Sequence, residues 1–280
     1  MNKIINNILP PVVTKIFKYL KQHRQDKENL HEYGWFGNYC SWGEAMSNCD
    51  NSGYASKIIL QKVKESLLKV KKGEAIYERD SYIFDKIQYS WPLLAGLLWI
   101  AGRQKNKLNV IDFGGSLGSS YFQNRSFLNS LNELRWNIVE QKHFVDCGKK
   151  YFENGTLNFF YNLDSCLKKS FPNIILLSGV LQYLENPSYF LNKVLDYKVK
   201  YIIIDRTAFL KKGENRLTIQ RVPPQIYNAS YPSWFFNEEY FLGLFRNKYK
   251  MVADFPAHEG FIVDLKDTTA VYKGFIFEII

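Results

Sequence analysis

The chain has 280 residues, 46% of them hydrophobic, with 21 Phe, 19 Tyr and 6 Trp. That length and apolar content allow a sizeable core in one large domain, or in a domain with an appendage, and they exclude a disordered chain. The net charge of +10 favours an anionic partner such as a phosphorylated sugar, a nucleic acid or a membrane surface.

At the N-terminus, residues 1–22 set Ile, Leu, Val, Phe and Tyr among lysines, and Pro10-Pro11 can open a helix near Val12. Such a basic amphipathic helix can make peripheral contact with the inner, anionic face of a membrane, or pack as an ordinary N-terminal helix. The polar run His23 to Asn29 reads as a linker, which closes a first segment at residue 32. Residues 33–105 read as a mainly helical cap or lid. Tyr33 to Trp42 crowds aromatics without helical spacing and is expected to be a loop, while Ser56 to Lys72 and Tyr82 to Ile100 are expected to be helices, the second buried.

From Leu108 the period changes. Short β-branched runs at Leu108 to Phe113, Trp136 to Val139, Ile174 to Leu177 and Tyr201 to Ile204 alternate with helix-length stretches, which predicts a parallel sheet covered on both faces over residues 106–280. Met251 to Phe255 and Ala270 to Ile279 follow each other without a long helix between them and predict a terminal hairpin. Cys40, Cys49, Cys147 and Cys166 have no metal-ligand spacing, so free thiols in a reducing cytoplasm are expected, with no zinc and no disulfide. Neither Ile8 to Val13 nor Trp91 to Ala101 approaches the roughly 20 apolar residues a membrane span requires.

The chemistry-bearing segment follows the strand Asn109-Val110-Ile111. Asp112-Phe113-Gly114-Gly115-Ser116-Leu117-Gly118 leads into a helical stretch, and its place outside the carboxyl end of a parallel strand is where such sheets bind ligands. The dinucleotide pattern GxGxxG would need glycine at 116 and 119, where serines stand, so NAD is disfavoured. Glu140, followed by Gln141, ends the next strand, placed to accept the hydroxyls of an adenosine ribose.

In this order of elements the chain resembles class I S-adenosylmethionine-dependent methyltransferases, whose loop reads acid-x-Gly-x-Gly-x-Gly. Asp112, Gly114 and Gly118 match, and Ser116 stands at the middle glycine. Pro172 to Pro187 looks like that family's fourth strand and following loop, and the chain end YKGFIFEI looks like its reversed last strand. The resemblance implies a Rossmann-like, doubly wound α/β fold: a mostly parallel seven-stranded sheet with an antiparallel last strand, preceded by a helical N-terminal region. It implies S-adenosylmethionine as cofactor, with Gly114, Gly115 and Ser116 at its methionine portion, Glu140 at its ribose and Ser178 near the reacting methyl. WFGNY at 35–39, YERDS at 77–81, QYSWPLL at 88–94, the stretch 112–125, IDRT at 204–207 and QRVPP at 220–224 resemble, more narrowly, a bacterial methyltransferase family found among surface-polysaccharide biosynthesis genes. That likeness implies a glycan acceptor.

Methyl transfer to oxygen needs a group that takes a proton, and an anionic acceptor needs cations. Tyr183, Asp205 and His258 are the candidate catalytic groups. Arg206 is the preferred anion clamp because a guanidinium grips phosphate or carboxylate bidentately, and Arg221 and Tyr231 are further acceptor-side candidates. Two other readings stay open. Gly114 to Gly118 is also GxSxG, and Ser116, Asp205 and His258 follow the chain order of an α/β-hydrolase triad, although the hundred residues before it offer no run of strands. A non-catalytic cofactor-binding protein fits the same fold. A nucleic-acid-binding module is not expected, because the lysines are spread out and no recognition motif appears.

Overall fold

The computed structural model describes residues 32–49, 57–79, 81–84, 86–87, 89–169, 171–223, 229–257 and 261–280. The expected N-terminal helix, the linker after it and His258 lie outside the described residues.

Before the sheet come β1 (Gly34–Phe36), α1 (Trp42–Ser47), α2 (Lys57–Lys72), the hairpin β2 (Tyr77–Arg79) and β3 (Tyr82–Phe84), and α3 (Trp91–Arg103). Then β4 (Lys107–Phe113), α4 (Ser119–Leu128), β5 (Glu133–Val139), α5 (Lys142–Tyr151) and β6 (Leu157–Phe160) lay three parallel strands side by side. The chain returns through α6 (Leu163–Lys169) to β7 (Ile174–Ser178) on the other flank of β4, and through α7 (Pro187–Asp196) to β8 (Tyr201–Leu210). β9 (Arg216–Val222) and β10 (Ala229–Asn237) form an antiparallel pair, followed by α8 (Glu238–Gly243), β11 (Tyr249–Pro256), β12 (Ile262–Asp264) and β13 (Thr269–Ile279). β13 runs antiparallel between β8 and β11.

The seven strands β6-β5-β4-β7-β8-β13-β11 make the expected doubly wound sheet with its reversed final strand. Period-two alternation explains why it is covered twice. Val110, Ile138, Leu176 and Ile203 enter one core with α2, α3, α4 and α5, whereas their neighbours Ile111, Val139, Ile175 and Ile204 enter a second core with α6, α7 and α8. The terminal hairpin is found as β11 and β13.

Three local expectations change. Tyr33 to Trp42 is not a loop throughout: β1 pairs with β9, almost two hundred residues away, and Trp35 packs edge-on against Phe235 at 5.9 Å. A three-residue strand that draws its bonds from a distant partner has no local signal. The helix expected over Tyr82 to Ile100 splits into β3 and α3 because Pro92 cannot lie inside a helix and opens one instead. α3 is also less buried than its composition suggests, since Leu93, Leu94, Leu97 and Ile100 face the core while Trp91, Leu98 and Trp99 face outward. Finally, β9 and β10 are not among the runs that the sequence marks as strands. They form with β1 an antiparallel sheet whose β10 joins the far end of β8.

One irregularity positions the site. Ile204 pairs with Phe275 and Thr207 with Lys273, so Asp205 and Arg206 together oppose the single residue Gly274. This is a β-bulge, with Arg206 left-handed at φ 51°. It lets β8 leave β7 after Asp205 and run on to β10. A Cβ on Gly274 would lie 2.2 Å from the Phe255 ring and 2.8 Å from the Ile204 carbonyl oxygen. Gly274→Ala is therefore expected to lower unfolding stability by about 1–3 kcal/mol in chemical denaturation. Gly102→Ala, on an open helical surface, should be neutral or stabilising by up to about 1 kcal/mol.

Candidate functional site

β4 and β7 flank the point where the strand order reverses, and their carboxyl ends open the crevice in which such sheets bind ligands. The loop from β4 into α4 lies there. Gly114, Ser116 and Gly118 have φ of 71°, 55° and 102°, so the chain turns through left-handed backbone at every second residue. Serine at 116 thus keeps the backbone conformation a glycine would take. Gly115 has no such φ but is constrained by contact: a Cβ there would stand 2.5 Å from the carboxyl carbon of Asp112.

Asp112 is buried beneath this loop and accepts a hydrogen bond from Trp136 Nε1 at 3.0 Å. Burial pushes its pKa up to about 7, against the pull of the Trp136 bond and of the Arg206 charge, while Glu140 adds to the rise. Glu140 closes the far side. Its carboxylate accepts the backbone N–H of Gln141, the residue that opens α5, at 2.6 Å, and the backbone N–H of Ser116; burial raises its pKa despite both bonds. Acid, glycine loop and second acid are in direct contact.

On the β7 side, Ser178 lies in register with Asp205. Its hydroxyl donates to Asp205 Oδ2 at 2.8 Å and accepts from Arg206 Nε at 3.0 Å. Arg206 lies back over this edge, 3.8 Å from the Asp205 carboxylate, with Nη2 3.4 Å from the Ser178 carbonyl. Burial raises the Asp205 pKa against the pull of Arg206, the Ser178 bond and Arg79. Tyr183 stands on a short 3₁₀ turn after β7 and donates to Gln220 Oε1 at 2.9 Å. Tyr231, the cross-strand partner of Gln220, meets the Tyr183 ring edge-on at 5.3 Å.

The structure thus brings together Asp112, Gly114 to Gly118, Glu140 and Gln141 as one cluster, and Ser178, Asp205 and Arg206 as another. Tyr183 and Tyr231 meet on the β9–β10 sheet. Arg221 alternates away from Gln220 along β9, and its guanidinium lies 5.3 Å from the centre of the Phe36 ring.

Other site residues had no place in the sequence reading. The β2–β3 hairpin comes from YERDS, where Glu78 accepts from Ser119 Oγ at 2.6 Å at the start of α4, and Arg79 acts electrostatically on Asp205. A carboxylate there also suits the positive end of a helix. Gln182, buried after β7, donates to the Arg206 carbonyl at 3.2 Å. Two adjacent opposite charges in a strand-length run were the available signal for Glu78 and Arg79; Gln182 and Trp136 carried none.

No family model matches the chain, and no curated protein matches it. Among solved structures, the N-terminal domain of EvdMO1, obtained in the presence of SAH and D-fucose, is similar with 9% identity over 82% of this chain and all of that one, at a TM-score of 0.47. A SAM-dependent methyltransferase from Methanosarcina mazei gives 10% identity over 64% of this chain and 96% of that one, TM-score 0.43. Magnesium protoporphyrin IX methyltransferase from Synechocystis PCC 6803, with bound SAM, gives 10% over 81% and 86%, TM-score 0.39. Likenesses of this order leave the functional reading to the site's own geometry. Among the described residues no helix is long and apolar enough to cross a membrane.

The Asp112 environment gives a pH dependence with a definite sign. Between the ordinary value of 3.8 and about 7 the folded state holds a proton that the unfolded state releases, so this group's contribution is full below about pH 4 and is lost as pH rises through 7. Asp112→Asn removes that loss. Its stability relative to the parent is expected to rise by roughly 1–4 kcal/mol between pH 4 and pH 8 in urea unfolding, and a flat difference would contradict the buried, protonated acid.

Proposed function

We propose that this protein is an S-adenosylmethionine-dependent methyltransferase acting on an oxygen of a sugar or sugar-phosphate in surface-glycan assembly. The observation that carries the reading is the contact between the loop and the two acids. A turn of alternating left-handed residues, held from below by Asp112 and from the side by Glu140, leaves backbone close to any ligand at the switch point. Gly114, Gly115 and Ser116 would take the methionine portion, Glu140 and Gln141 the ribose side, and Ser178 the edge nearest the transferred methyl. The cofactor supplies, when bound, an electrophilic methyl on a sulfonium.

Transfer of that methyl from the sulfonium to an acceptor hydroxyl would release the hydroxyl proton, which a base of the protein would have to take. Asp205 suits that role because burial raises its proton affinity while Arg206 and Ser178 hold it in place. Tyr183, held by Gln220, and His258 are the other candidates, with Tyr231 on the acceptor side, while Arg221 faces away from it toward Phe36. The glycan acceptor follows from the resemblance of the motifs, and the net positive charge suits an anionic one.

The hydrolase reading would make Ser116 the nucleophile. Ser116 Oγ is buried, whereas the nucleophile of such a hydrolase stands exposed to its substrate at the top of the sheet. Ser116→Gly separates the readings. It suits the left-handed backbone, so affinity for S-adenosylhomocysteine should stay within about threefold of the parent and methyl transfer should persist; a serine hydrolase would lose all activity. Glu140→Gln should weaken binding of the same ligand by about 1.5–3 kcal/mol in calorimetry, the value of a hydrogen bond to a charged group. Unchanged affinity in Glu140→Gln would refute the site map.

A further inference from the structure

From Trp91 to Gly102, α3 carries no polar side chain on any side. Leu93, Leu94, Leu97 and Ile100 face the core, yet the outward residues Trp91, Ala95, Leu98, Trp99 and Gly102 are also apolar, and the first charge is Arg103 at the helix end. A helix that is apolar all round belongs in a covered place. Trp91, Leu98 and Trp99 nevertheless stay 58%, 38% and 37% exposed, so nothing among the described residues covers this side. The surface continues onto α4 through the exposed Phe127, whose ring lies 6.0 Å from Trp91 and 5.2 Å from Tyr89. Toward the sheet edge it reaches Ala253 of β11, exposed opposite the Ile276 against which Gly96 packs. A continuous exposed apolar patch of this kind marks an interaction surface.

The charges at its margin say what the partner is. The C-terminal end of α3 and the strand ends beside it carry Arg103, Lys105, Lys107, Lys200 and Lys250, all exposed. The Arg103 guanidinium lies 5.0 Å from the Trp99 ring, which meets Tyr201 edge-on at 5.7 Å, and Lys200 lies 5.4 Å from the Tyr201 ring. The carboxylates here are already shared: Glu278 between Arg103 at 3.6 Å and Lys250 at 3.1 Å, and Glu133 between Lys107 at 3.2 Å and Arg135 at 3.0 Å. Lys105 and Lys200 form no ion pair among the described residues. The rim is therefore positive after its ion pairs are counted. A symmetric dimer would set the same patch, with the same positive rim, against itself, which disfavours a second copy of the chain. An anionic surface is complementary.

We infer that this face docks on an anionic lipid bilayer, with Trp91, Leu98, Trp99 and Phe127 in the boundary between headgroups and acyl chains and with Arg103, Lys105 and Lys200 against lipid phosphates. Tryptophan and leucine beside basic residues are the composition of surfaces that lie in that boundary. The stretch from Trp91 to Gly102 is about 18 Å long, well short of the roughly 30 Å hydrocarbon core, and its other side is held by the sheet, so it lies flat on the membrane and does not cross it. The inference does not depend on the methyltransferase reading, because the patch lies outside the Asp112 and Ser178 clusters.

The test is co-sedimentation of the full chain with vesicles of phosphatidylglycerol and phosphatidylcholine in about equal parts, and with vesicles of phosphatidylcholine alone. The parent should bind the anionic vesicles at least about tenfold more tightly, and added salt should weaken that binding. Leu98→Glu should weaken it about tenfold or more, whereas Tyr189→Glu, at an exposed aromatic on α7 over the opposite core, should leave it unchanged. Brominated acyl chains should quench the tryptophan fluorescence of the parent, and the double variant Trp91→Phe, Trp99→Phe should still bind but lose that quenching. Failure of the parent to bind anionic vesicles would overturn the inference. So would binding that Leu98→Glu and the double variant leave unaltered, which would put the lipid contact on another part of the chain, or a dimer in light scattering that Leu98→Glu dissociates without any vesicle binding. S-adenosylhomocysteine affinity should be the same in Leu98→Glu as in the parent; its absence from both, with vesicle binding intact, would refute the cofactor reading and leave the membrane face standing.

Discussion

The close approach of Asp112 to the turn above it is the constraint on which the rest of the site depends. A carboxyl group buried at the end of a central strand must be hydrogen-bonded or neutral, and here Trp136 supplies the bond while burial favours the proton. Because Gly115 passes so near that no side chain fits, the loop's path is set by the acid and the loop then sets where α4 begins. Glu140 receives the Ser116 N–H only because that path brings it within reach. Replacing the acid would therefore alter more than one charge: it would change the support of the whole turn.

The bulge in β8 plays the corresponding role on the other flank. Setting Asp205 and Arg206 opposite Gly274 lets one strand serve two sheets, pairing with β7 before the irregularity and with β10 after it. The same two residues are the ones whose side chains meet Ser178 at the sheet edge. A bulge re-aims side chains at the cost of local pairing, and its left-handed arginine is a conformation that L-residues adopt rarely. The antiparallel β1-β9-β10 sheet, which carries Gln220 and Tyr231, is attached to the main sheet through this extension of β8 and meets the loop after β7 through Tyr183.

Much of this was legible in the sequence, and the reasons are physical. The β-branched runs of β4, β7 and β8 announce a buried parallel sheet because both faces need apolar side chains, and the Asp112 to Gly118 segment announces its loop because glycine and acid occur together where a strand gives way to a helix. The extra sheet was not legible, since β1 depends on β9 for its hydrogen bonds and β9 mixes buried Thr218 and Gln220 with apolar residues. Pro92 carried the correct boundary of α3, but an apolar stretch on both sides obscured it. Arg79 and Gln182 were missed because their significance lies in tertiary proximity to Asp205 and Arg206, which no spacing along the chain encodes.

The Asp112 and Glu140 cluster is proposed to hold an adenosyl cofactor and not a dinucleotide. Calorimetric titration of the parent protein with S-adenosylmethionine and S-adenosylhomocysteine, with NAD as the comparison, addresses it most directly. One-to-one binding of the first two and none of NAD is the expected result. Heat from NAD alone, or from none of the three, would contradict it.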